Sequence, residues 1–162
     1  VDALYQGNNR GAVLTVDGVP RKGEQLGLNF VSTPVQSPSD YAAAFEAARN
    51  ENAQALFVMD DGAITKNRKQ ILELASRQAL PVVSIYRDFA EAGGLIAYGP
   101  RLSVVYRRAA DYVDKLLNGA PAGELPVEQP IEFDLVVNLK AAKALSVTVP
   151  QSVLVRADEV IE

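Results

Sequence analysis

Asp60 and Asp61, followed by Gly62, end the apolar run Ala55–Met59. Carboxylates at the end of a strand can receive an ammonium group or Mg²⁺. Asp is equally suited to capping the next helix, and Gly62 to a tight turn. Neighbouring side chains on an extended chain point to opposite sides, so one of the pair faces any ligand, and Asp60 is the one expected to do so. Gln6-Gly7-Asn8-Asn9 closes an earlier apolar run. Its N–H groups and the amides of Gln6 and Asn8 could hold a carboxylate if a helix starts there, although Asn and Gly are also ordinary turn residues. Tyr86 and Arg87 stand side by side where another run stops. They offer an aromatic wall and a forked donor for a carboxylate, or a rim packing residue and a solvated charge. Tyr98 closes a further run, and the amide of Gln36 lies in the loop Pro34–Ser37 after another. The candidate ligand-binding residues are therefore Gln6, Asn8, Gln36, Asp60, Tyr86, Arg87 and Tyr98.

Composition removes most catalytic chemistry. The 162 residues include no His and no Cys. A Ser-His-Asp triad, a thiolate nucleophile and a Cys zinc site cannot be built. An enzyme would have to rest on Ser, Lys, Asp or a cofactor, and no motif places them. Neither a Gly-rich dinucleotide fingerprint nor a phosphate-binding P-loop occurs. The expectation is a non-enzyme with no cofactor and no metal. Sixteen basic and 20 acidic residues leave a net charge of -4, with no basic stripe. Nucleic acid is then an unexpected partner, because phosphate attraction supplies most of that affinity. No apolar run approaches the roughly 18–20 residues of a membrane span. The chain begins at Val1, so the lack of a leader is uninformative about compartment.

These residues need elements to hold them. Val1–Gln6, Leu28–Ser32, Ala55–Met59, Pro81–Tyr86 and Leu95–Tyr98 are mostly continuous apolar runs. Such runs predict strands covered on both faces, as in a parallel sheet. Ser37-Pro38-Ser39-Asp40 predicts a helix start, with Tyr41, Ala44, Phe45 and Ala48 on one face. Ile71, Leu72, Leu74 and Ala75 form a second stripe. The longest helix is predicted over Leu102–Asn118, with Val105, Ala109, Tyr112, Val113 and Leu116 inward and Gly119 as its stop. Gly18, Pro20 and Gly23 interrupt Gly11–Gly27, which predicts a loop and a short helix near Arg21–Leu26. After the Pro/Gly connector Ala120–Pro126 come a strand over Ile131–Val137, a short helix over Leu139–Leu145 and a turn opened by Pro150. Strands alternating with helices imply an α/β fold with a doubly wound parallel sheet. Ligands of such sheets sit beyond the carboxyl ends of the strands, where the candidate residues fall.

The second half also carries longer patterns. Glu91-Ala92-Gly93-Gly94-Leu95-Ile96-Ala97-Tyr98-Gly99 is similar to the stretch EAGGLMSYG of ABC transporter substrate-binding proteins of the tryptophan/tyrosine type. Tyr106–Ala120 resembles that family's YRRAAxYVDKILKGA, Leu125–Pro130 its LPVEQP, Val137–Leu145 its INLKTAKAL and Arg156–Ile161 its RADEVI. These blocks run in order through Phe89–Glu162, while Val1–Arg87 agrees in pattern only. Two departures stand out. Ser146 replaces the Gly that follows AKAL, and Gly11–Gly27 lacks the long regular helix after the first strand.

The resemblance implies a type I periplasmic-binding-protein fold: two α/β lobes with a ligand between them. Residues 1–99 would form one ligand-binding lobe. Residues 100–162 would be a crossover helix, strand and terminal segment that in the family returns to the other lobe. It further implies the solute-binding component of an ABC importer, periplasmic or anchored at the cell surface, taking a small amino-acid-like solute, aromatic in one version. The implied partners are that solute and the transporter permease, with a second chain completing the missing lobe as a possibility. In this reading Asp60 receives an ammonium group, Tyr86 and Tyr98 pack on the apolar part, and Gln6, Asn8 or Arg87 holds a carboxylate. The alternative is a regulatory domain of effector or receiver type, since such domains share the strand–helix repeat and acidic residues at strand ends.

Overall fold

Short helices and short strands cannot hold themselves in water, so their apolar faces must meet. The computed structural model describes residues 1–59 and 61–162. Strands β1 (Asp2–Gln6), β2 (Val31–Val35), β3 (Leu56–Val58), β4 (Val82–Ser84) and β5 (Ile96–Pro100) alternate with helices. These are α1 (Arg10–Val16), α2 (Val19–Gln25), α3 (Tyr41–Asn50), α4 (Gly62–Lys66), α5 (Arg68–Arg77) and α6 (Arg87–Glu91). Then follow α7 (Leu102–Leu117), β6 (Phe133–Asn138), α8 (Leu139–Ala144), α9 (Gln151–Leu154) and β7 (Glu159–Ile161). The described strands form one sheet in the order β2-β1-β3-β4-β5-β6-β7. Every neighbouring pair is parallel except β5–β6, which is antiparallel. The predicted α/β class and largely parallel sheet are what the chain adopts.

Alternation along the strands divides the core. Leu4, Val35, Leu56, Val58 and Val82 meet Tyr41 and Phe45 of α3 and Ile71 and Leu72 of α5. Ala3, with Tyr5 and Phe57, faces Val16 of α1 and Met59. Burying each large apolar side chain contributes about 1.5–3 kcal/mol, which is what holds helices of ten residues in place. The cap at Ser37 also forms. Pro38–Asp40 is a 3₁₀ turn leading into α3, and the Ser37 N–H donates to Asp40 Oδ2 at 2.9 Å.

Four expectations change on contact with the structure. The second strand is Val31–Val35 and includes Pro34. Proline is tolerated there because β2 is a sheet edge and needs partners on one side only. Gly11–Gly27 folds as two short helices, α1 and α2, broken at Asp17-Gly18, with Pro20 in the first turn of α2. The terminal residues add a strand, β7, beside β6. The long helix α7 forms as predicted, but none of its residues is buried, so the stripe from Val105 to Leu116 does not pack on this sheet. The segment 100–162 is thus divided. Residues 133–161 carry strands of the same sheet, while α7 and 118–131 stand off it.

Ser146 has φ +54°, the left-handed conformation in which a side chain is strained. It ends α8, with its N–H donating to Lys143 O at 3.2 Å and the Val147 N–H to Ala142 O at 2.9 Å. Ser146→Gly relieves the strain at an unchanged backbone. It is expected to stabilise the protein by about 0.5–1 kcal/mol, read as a rise of roughly 2–3 °C in Tm. A lowered Tm would contradict this geometry.

Asp2 is wholly buried at the start of β1. Its Oδ2 accepts from the Thr33 hydroxyl at 3.1 Å, while Oδ1 has no hydrogen-bond partner among the described residues. Burial raises its pKa, opposed by the Thr33 hydrogen bond and the Val1 ammonium. A raised folded pKa means that the folded chain holds this proton more tightly than the unfolded chain. Stability from Asp2 is therefore complete below the ordinary carboxylate range and lost as pH rises through the raised value. Asp2→Asn removes that loss. Its Tm should exceed the parent's at pH 7 and converge with it below about pH 4. Equal melting temperatures at both pH values would refute the assignment.

Candidate functional site

The carboxyl ends of β1 to β5 share one edge of the sheet, and the strand order reverses between β1 and β3. Crevices form at such reversals because the connecting helices lie on opposite faces. Here the crevice is bridged by two helix caps. Asn9 caps α1 through Oδ1, which accepts from the Gly11 and Ala12 N–H groups. Asp61 caps α4 through Oδ1, which accepts from the Ala63 and Ile64 N–H groups. Asn9 Nδ2 then donates to Asp61 Oδ2 at 3.0 Å. Asp61 is thus the cap that its residue type suggested. Asp60, the candidate for an ammonium group, lies outside the described residues.

Along the same rim, Gln6 Nε2 donates to the Gln36 carbonyl at 3.0 Å, which joins the loops after β1 and β2. The Gln36 and Asn8 side chains are exposed. Gln36 and Ser37 donate their N–H groups to Asp40 Oδ2, and these two bonds lower the Asp40 pKa. Gln6, Asn8 and Gln36 therefore sit together at one end of the rim.

Tyr86 and Arg87 stand two strands along from β1, at a cavity of about 200 Å³ between the ends of β4 and β5 and the start of α7. Its lining includes Tyr86, Arg87, Asp88, Gly99, Arg101 and Asp134. Arg87 is already engaged. Nε donates to Glu91 at 2.8 Å and Nη2 to Glu159 at 2.6 Å, and both carboxylates raise its pKa. A ligand carboxylate would have to displace one of them. Arg101 is also neutralised: Nε donates to Asp134 Oδ1 at 2.7 Å and Nη1 to Glu132 at 2.9 Å. The Asp88 carboxylate has no hydrogen bond or ion pair among the described residues, so it is a charge in this lining free to meet a ligand.

Tyr98 is placed differently. The cavity is lined by its neighbours Ala97 and Gly99, so alternation turns Tyr98 to the opposite side of β5. It is 56% exposed and stacks on Phe133 with ring centroids 5.6 Å apart. Asp88, Arg101 and Asp134 were not among the sequence candidates. Arg101 had a signal, since it closes a strand-end loop; Asp134 had none before the antiparallel pairing of β6 was known.

A larger groove of about 800 Å³ runs between α7 and residues 126–132, with Val105, Tyr112, Val127 and Ile131 in its walls. Val127 is 99% exposed and Ile131 89%. The Arg108 guanidinium forks onto Glu128 and holds its carboxyl down to about 2. Among the described residues no helix is long and apolar enough to cross a membrane.

Three comparisons bear on this geometry. The sequence model of the family described as "ABC transporter substrate binding protein" matches residues 1–161. No curated protein matches the chain. Among solved structures, a conserved domain protein from Vibrio cholerae superposes with a TM-score of 0.91 at 24% identity, over 98% of this chain and 53% of that one. An ABC domain from Streptococcus pneumonia, solved in complex with L-Trp, gives 0.91 at 23% identity, over 99% and 54%. The ligand-free, open form of CD0873, a substrate-binding protein with adhesive properties from Clostridium difficile, gives 0.72 at 18% identity, over 99% and 53%. The chain spans about half the length of each of these structures.

Proposed function

This chain belongs to the ABC transporter substrate-binding protein family, and from that premise we propose that it forms one lobe of a non-enzymatic solute receptor for an ABC importer. A small organic solute, amino-acid-like and aromatic in one version of the reading, would be held against the rim of β1 to β5. Residues 1–99, extended by β6 and β7 on the same sheet, would supply that lobe, and α7 with residues 118–131 would face a second one. The solute would favour the closed arrangement by contacts that exist only when both lobes meet it. A place outside the cytoplasm and a permease partner belong to the same reading.

The cavity beside Tyr86 is the observation that supports this most. It pairs an aromatic wall with Asp88, while its two guanidinium groups are each held by carboxylates. That balance suits an ammonium or neutral polar group beside an apolar surface better than a second carboxylate. Any carboxylate of the solute would then fall to the amides at the Gln6–Asn8 end of the rim. The relative solved with L-Trp supports the solute class by analogy alone.

Calorimetry against a panel of amino acids and related amines provides the test. At least one member is expected to bind, with Tyr86→Ala weakening it about tenfold. If the whole panel fails to bind while the protein shows an unrelated activity, the reading is wrong.

A further inference from the structure

The chain leaves the sheet after Pro100 and returns at Glu132–Phe133, and what lies between behaves as an arm. The arm is braced within itself. The Tyr112 hydroxyl donates to the Pro126 carbonyl at 2.7 Å, and Arg108 forks onto Glu128. None of the α7 residues is buried. Among the described residues, the arm is therefore held against the sheet chiefly at the two crossings.

Arg101 stands between those crossings and holds both. Its backbone N–H donates to the Glu132 carbonyl at 3.0 Å, and Nη1 to the Glu132 carboxylate at 2.9 Å. Nε and Nη2 reach Asp134 Oδ1 at 2.7 and 2.6 Å. Asp158 lies 3.9 Å from Nη2. The last ladder pair between the crossings is Pro100 with Phe133, so Arg101 extends the connection beyond the end of the ladder. We propose that Arg101 is the positioning residue of a hinge: its guanidinium clips the outgoing and incoming crossings together and sets the angle between the arm and the sheet.

An isolated exposed ion pair would contribute too little for this role. Here one planar fork serves two carboxylates on the returning segment and adds to a backbone bond, a geometry that a lysine cannot reproduce. The lever is also long. The 16 residues of α7 extend about 24 Å, so a small rotation at the clip becomes a large displacement at the far end.

The absence of cysteine makes the angle measurable. Ser76→Cys on α5 and Ala110→Cys on α7 introduce exposed attachment points for nitroxide labels, away from the clip. Pulsed EPR on the doubly labelled chain should give one narrow distance population. Arg101→Gln should roughly double its width at an unchanged circular dichroism spectrum. About 1 M NaCl should broaden the parent by more than it broadens the Arg101→Gln chain, because screening of the exposed Arg108–Glu128 pair is common to both while the clip is present only in the parent. Should Arg101→Gln lose the sheet, the Glu132→Gln/Asp134→Asn pair reads the same distance with the guanidinium kept. An unchanged population in the variant that folds, or a parent already as broad, overturns the proposal. Solute binding has no part in this measurement. A chain that binds nothing but broadens on loss of Arg101 keeps the hinge and loses only the transport reading.

Discussion

Gly99→Ala should unfold the rim of the sheet at a temperature roughly 10 °C below the parent, a loss of about 3 kcal/mol or more. A Cβ built on Gly99 would lie 2.0 Å from the Ile85 carbonyl oxygen, 2.9 Å from its carbonyl carbon and 3.2 Å from its Cα. All three are backbone atoms, so no side chain can rotate away to make room. The ladder between β4 and β5 pairs Val83 with Ile96 and Ser84 with Ala97, and Gly99 closes against the chain just past those pairs. Relief therefore means parting two central strands where they line the cavity beside Tyr86. Thermal and urea melts give the stability, and calorimetry with any solute that binds the parent gives the second consequence, loss of affinity. A Gly99→Ala protein that melts within about 2 °C of the parent would mean that β4 and β5 do not approach each other this closely.

Asn138→Ala is expected to cost about 2–4 kcal/mol, because it strands two buried partners at once. Asn138 is 4% exposed at the end of β6. Its Nδ2 donates to the Ala90 carbonyl of α6 at 2.8 Å, and its Oδ1 accepts from the Ala141 N–H of α8 at 2.9 Å. One amide thus ties β6 both to α6, some 48 residues earlier, and to α8, which follows it directly. Asn138→Asp makes the finer test. The ionised carboxylate keeps the cap on α8 but sets an oxygen against the Ala90 carbonyl. Protonation restores a donor, so the folded state should hold that proton more tightly than the unfolded one. Stability of Asn138→Asp should recover as pH falls toward about 4 and be lost again above it, whereas Asn138→Ala should show no such recovery. If both variants melt like the parent, the amide is not buried as described.

Several local features were legible because they depend on neighbours along the chain. The apolar runs ending at Gln6, Met59, Tyr86 and Tyr98 became or bordered parallel strands, since continuous hydrophobicity demands cover on both faces. The cap at Ser37 formed because Asp40 is three residues on, within reach of its N–H. Of the paired aspartates, Asp61 is the helix cap that its residue type suggested, and Asp60 lies outside the described residues. Tyr98 could not be assigned a side from its position at a strand end. Its neighbours decide that, by turning Ala97 and Gly99 toward the cavity.

The amino-acid sequence by itself determined most of the elements, their alternation, the strand ends at which ligand chemistry is expected, and the chemistries closed to a chain without His or Cys. Each follows from composition or from residues a few positions apart, where periodicity and capping act. The tertiary structure alone decided that β6 returns antiparallel to β5, that Arg87 is held by Glu159 and Arg101 by Glu132 and Asp134, and that α7 stays off the sheet. Those partners lie some 30 to 70 residues apart. An arginine reads the same in sequence whether it meets water, a ligand or a carboxylate, and only the folded chain brings the carboxylate to it.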